Sequence, residues 1–225
     1  MRKIAFLILT SLFLITSCSS FMTVRKVDNN VLYSSEGPEL LVWVAPDIKY
    51  IGNSSNSDLH KSTTGNDLIE TADGYIFGEK GTDSVLEKGV IIDFCRLDKG
   101  YYLPERFNKE GALISDIKKL NSQYYEHVVC IGGRVIRRDF EKFLMETGAM
   151  FPNLCIVDAY ARRIGPADKK VIYIYYFEKI DMEKSEISKD AWFNMTRQTM
   201  RDQEKMEIDT FLKRSEQSIK FISGD

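Results

Sequence analysis

Val171-Ile172-Tyr173-Ile174-Tyr175-Tyr176-Phe177-Glu178 is the stretch that decides the fold. β-Branched and aromatic residues occupy both of its alternating faces, so it reads as a strand through the centre of a sheet covered on both sides. Upstream, Leu154 to Ala161 has the same character, and Arg162-Arg163-Ile164-Gly165-Pro166-Ala167-Asp168 between them is a turn-rich connection. The pair is therefore expected to be an antiparallel hairpin.

Working outward, Leu40 to Ala45 reads as a strand stopped by Pro46, Ile48 to Ile51 resumes extended structure, and Gly74 to Phe77, Val90 to Leu97 and His127 to Ile131 are further strands. Gly52 to Asp67 has Leu59 as its single large apolar residue and reads as a long exposed loop. Pro104 to Phe107 can open one helical turn, and Ser115 can cap a short helix through Leu120. Ile136, Phe140, Phe143 and Leu144 fall at helical spacing before Gly148, which predicts a short helix near 135–147. Ile208, Phe211, Leu212, Ser215, Ile219 and Ile222 form one stripe of a long C-terminal helix beginning between 196 and 202. Strands come in runs and do not alternate with helices. The expected class is α+β: a mainly antiparallel sheet with the C-terminal helix packed on one face.

The N-terminus sets the compartment. Arg2 and Lys3 precede the largely apolar run Ile4 to Ile15, which is too short to span a bilayer and has the layout of an export signal. Ile15-Thr16-Ser17-Cys18 then resembles the lipobox of bacterial lipoproteins. The resemblance implies cleavage before Cys18, a diacylglyceryl thioether on its sulfur and acylation (palmitate among the acyl groups) of the new amine. Ser19 in the next position, where an Asp is absent, implies the outer membrane if the source has two membranes. The expected organisation is a cleaved signal peptide 1–17, a lipidated tether 18–30 and one globular domain 31–225.

The 225 residues are 44% hydrophobic and 28% charged, the composition of a folded protein. The formal charge is −2, and loss of Arg2 and Lys3 with the signal leaves a still more acidic chain, which argues against nucleic acid as the partner. No polybasic segment in the sequence supplements the lipid.

Few residues carry recognisable chemistry. The glycines at 74, 78 and 81 lack phosphate-loop spacing and read as turn glycines. With only His60 and His127, and no serine-nucleophile elbow, no catalytic residue, cofactor or metal ligand is assigned. His127 with Asp93 and Asp158 is one conceivable acid/base group, set against the plainer reading of a hydrogen-bonded histidine and salt-bridged or solvated aspartates. Cys95, Cys130 and Cys155 sit in apolar runs without metal spacing and read as small buried hydrophobes, with one disulfide as the alternative.

Arg134, Arg137 and Arg138, then Arg162 and Arg163, are candidates for an anion site, although the interleaved Asp139, Glu141, Asp158 and Asp168 favour simple neutralisation. Tyr173 and Tyr175 alternate with Phe177 along one strand face, either as a binding platform or, more ordinarily, buried under the C-terminal helix. The functional expectation is a membrane-anchored, non-enzymatic lipoprotein that binds an envelope protein. A small-molecule or glycan-binding lipoprotein is the alternative, and an enzyme without a recognisable motif comes third.

Overall fold

The computed structural model describes residues 24–35, 38–61, 67–100, 102, 106–107, 109–132, 138–165 and 169–222. They form two antiparallel sheets and few helices, so the molecule is mostly β and fits the α+β expectation only in part. The smaller sheet contains β1 (Arg25–Asp28), β2 (Val31–Ser34), β3 (Leu40–Val44) and β11 (Ile219–Ile222), in that spatial order. The larger has seven strands: β4 (Lys49–Lys61), β5 (Asp67–Lys80), β6 (Leu86–Leu97), β7 (Ile114–Leu120), β8 (Gln123–Ile131), β9 (Cys155–Ile164) and β10 (Lys170–Lys179). Their order is β4-β5-β6-β10-β9-β8-β7. The helices are α1 (Arg138–Glu146), α2 (Lys189–Phe193) and α3 (Asp202–Ser218).

β10 is the central strand of the large sheet, antiparallel to β9 and to β6, as its two apolar faces require. Ile172, Ile174 and Tyr176 point to one face, where the small sheet, α2 and α3 close the main core through Leu32, Val42, Trp192, Ile208 and Phe211. Tyr175 and Phe177 point to the other, beneath α1 and Phe151. The cover over these aromatics is thus not the C-terminal helix. Phe211 of α3 instead meets Tyr176, on the opposite face, with ring centroids 5.5 Å apart.

Several expectations fail for physical reasons. The polar stretch after Gly52 is the edge strand β4, because its small polar side chains need no apolar face when the neighbouring β5 backbone pairs with them from Gly52 to Lys61; residues 62–66 lie outside the described residues. Ile114–Leu120 is strand β7, not a helix. The apolar residues 114, 117 and 120 mimic helical spacing, but Asn121 and Ser122 adopt φ of 45° and 64°, the two left-handed residues of a tight hairpin turn into β8. Arg106 and Phe107 are not helical, and 103–105 lie outside the described residues. α3 ends at Ser218, so Ile219 and Ile222 leave the helix and pair with β3. The chain expected as tether to Asn30 is already paired with β2 from Arg25.

Gly74 and Gly78 are strand residues rather than turn residues. A Cβ on Gly74 would lie 2.0 Å from Cε1 of Phe140, so the glycine is what lets α1 lie on β5.

Candidate functional site

On the face covered by α3, adjacent strands place Asp116 (β7) and His127 (β8) side by side and Asp158 (β9) diagonally beside His127. The register sets Asp116 opposite His127, and Val129 opposite Asp158. His127 Nδ1 lies 2.5 Å from Asp116 Oδ1, and its Nε2 lies 2.8 Å from Asp158 Oδ1. Asp158 Oδ2 accepts from the Tyr160 hydroxyl at 2.9 Å and from Ser215 Oγ of α3 at 2.7 Å. The Tyr160 ring stacks on the imidazole, with centroids 4.9 Å apart.

His127 and Asp158 are fully buried, whereas the Asp116 side chain is 51% exposed, so Asp116 is the end of the group that meets water. Ser215 bonds to the carboxylate and not to the imidazole, and it too is buried. The arrangement therefore lacks the nucleophile-to-base hydrogen bond of covalent catalysis. What it does is tie α3 to β9 through a satisfied polar network, which specifies how the helix seats on the sheet.

Asp93 does not join it. It faces the opposite side of the sheet, paired in register with Tyr173 and Gly74, and accepts from the Cys95 thiol at 3.3 Å. That side carries a second polar group. Arg106 Nε donates to the Tyr173 hydroxyl at 3.1 Å, the Arg106 guanidinium lies 4.7 Å from the Tyr102 ring centroid, and the Tyr102 hydroxyl donates to Glu70 at 2.9 Å. Burial pushes the Tyr173 phenol up to about 12, against the opposing pull of Arg106.

The other expected site residues scatter. Arg162 and Arg163 are neighbours in β9 and so point to opposite faces; Arg162 lies over the Tyr125 ring, 5.5 Å from its centroid. Arg134 and Arg137 lie outside the described residues, as does the side chain of Arg138, which opens α1. Tyr173 and Tyr175 stack with centroids 6.0 Å apart, but Tyr175 is buried, so together they are packing and not an open platform. Cys95 and Cys155 are buried and Cys130 half-buried, all as free thiols; burial pushes Cys130 up to about 11 and Cys155 up to about 12. Cys18 and the rest of the lipobox lie outside the described residues.

Asp116 and Ser215 are the network residues that sequence reasoning missed. Asp116 was hidden in a stretch read as helix, and Ser215 stood in the apolar stripe, where a small polar residue in an otherwise apolar series is the available signal. The chain matches no protein-family model, no curated protein and no solved structure.

Proposed function

We propose that the protein is a lipid-anchored component of a bacterial envelope, held by acyl groups on Cys18, whose folded part is a non-enzymatic module for binding a protein partner. In a two-membrane envelope its place is the outer membrane. The observation that carries the reading is the lipobox-like Ile15-Thr16-Ser17-Cys18, followed by only a few residues before the first described strand at Arg25. Six peptide steps separate Cys18 from Val24, a reach of at most about 22 Å, so the partner is met close to the bilayer.

The test has two readouts on protein extracted from its own membrane. Cys18→Ser abolishes the acyl mass and membrane retention; persistent acylation of the variant overturns the anchor. Cross-linking in intact cells yields one stoichiometric protein adduct; a tightly bound small molecule in its place overturns the interaction module.

A further inference from the structure

The large sheet carries a row of cations that the sequence scatters over 75 residues. Arg96 of β6 and Lys170 of β10 are directly opposite each other in the register. On the next strand Arg162 is opposite Ile172, one step further in on the same face. Like charges directly across a ladder repel, yet among the described residues none of the three is ion-paired. Exposed Lys99 and Lys169 extend the same edge, with the Lys169 ammonium donating to the Asp98 carbonyl at 3.4 Å. Among the described residues the carboxylates nearby include Asp98, which accepts from the backbone N–H groups of Ile69 and Lys99, Asp73, which is paired with Arg25, and exposed Glu39.

The small sheet shows where the chain enters relative to this row. One end of it is tied to the far end of β6 by Asp47 and Lys88, 2.5 Å apart. At its other end, Arg25 lies over the Phe94 ring at 4.1 Å and pairs with Asp73 at 2.8 Å, while Leu40 shares a depression with Arg162 and Tyr125. Phe94, Ile172 and Arg162 are one row across the sheet, and Arg96 with Lys170 is the next row outward. Val24, the first described residue, therefore lies on the side of the Arg96–Lys170 row.

We propose that this end of the sheet, centred on Arg96, Lys170 and Arg162, lies on the anionic phospholipid headgroups of the bilayer that holds the anchor. The proposal rests on the lipid-anchor reading, because the six-step link from Cys18 delivers this end, and not the helical side, to the membrane. The Arg96 guanidinium and the Lys170 ammonium, with no ion pair among the described residues, complement lipid phosphates, with Arg162 held behind them over Tyr125, and a basic surface beside an acyl anchor fixes orientation as well as attachment.

The protein extracted from its own membrane is reconstituted into vesicles of phosphatidylcholine alone or with about 30% phosphatidylglycerol, and lysines are modified with a membrane-impermeant amine reagent and read by mass spectrometry. Modification of Lys99, Lys169 and Lys170 slows about threefold or more with phosphatidylglycerol and recovers at high salt, as screening requires. Lys205 and Lys213, exposed on α3, are unaffected. Equal rates in the two vesicles overturn the proposal, as does protection of Lys99 and Lys169 that survives in Arg96→Gln/Lys170→Gln. The same spectra report the acyl mass on Cys18: its absence sinks the anchor reading, whereas a present acyl group with no lipid-dependent protection sinks only the orientation.

Discussion

Asp158→Ala tests the buried polar network most directly. The substitution removes the hydrogen-bond partner of the imidazole Nε2, the Tyr160 hydroxyl and the Ser215 hydroxyl at once, at a site with no solvent exposure. Each buried donor left without a partner costs about 1–3 kcal/mol, so with partial relaxation the loss is about 3–6 kcal/mol. That is a large share of the about 5–15 kcal/mol that holds a domain together. At about 2–4 °C per kcal/mol for a chain of this size, the melting temperature falls by roughly 10–20 °C. Ser215→Ala is the calibrating variant: Asp158 keeps two donors, and the loss is about 1 kcal/mol. Differential scanning calorimetry with urea titration measures both. An Asp158→Ala midpoint within 3 °C of the parent, or the two variants equal, would refute the idea that α3 is seated through this carboxylate.

Three further outcomes follow from particular contacts. Gly74→Val places side-chain carbon inside the Phe140 ring and destabilises by about 2–3 kcal/mol in urea unfolding, with Phe140→Ala in the same chain recovering part of the strain; purely additive losses would contradict it. The Arg201 guanidinium and backbone N–H, 2.9 and 2.7 Å from the Glu204 carboxylate, hold that carboxyl below its usual range. Its folded pKa being depressed, its contribution is present above the unfolded carboxyl pKa and lost as pH falls through the folded one, so Glu204→Gln shows a shallower stability decline below about pH 4.5 than the parent. Cys95, Cys130 and Cys155, buried or half-buried and with the last two raised in pKa, react with a thiol reagent at pH 8 far more slowly in the native protein than in denaturant; rapid native labelling would show that these strands open.

Features that rest on local pattern were legible in the sequence. The β9–β10 hairpin is written in β-branched and aromatic residues around a turn, so its reading needs no distant partner. Helix α1 was found because Phe140 and Leu144 repeat at helical spacing. Patterning failed where burial is supplied by the neighbour: β4 is polar and still a strand because β5 satisfies its backbone, and β7 has a three-residue apolar spacing while its turn residues make it a hairpin arm.

Sequence alone thus determined the central strand and the dominance of antiparallel pairing, since each follows from residues close together in the chain. Only the tertiary structure decided which polar residues act together. Strand register brings Asp116, His127 and Asp158 together on one face and turns Asp93 to the other, α3 adds Ser215 from 57 residues away, and Arg96, Arg162 and Lys170 share one face of three adjacent strands. A shift of one residue in any ladder would send those side chains to the opposite face, so the pairing that the whole core selects, and no local pattern, creates both the network and the basic edge.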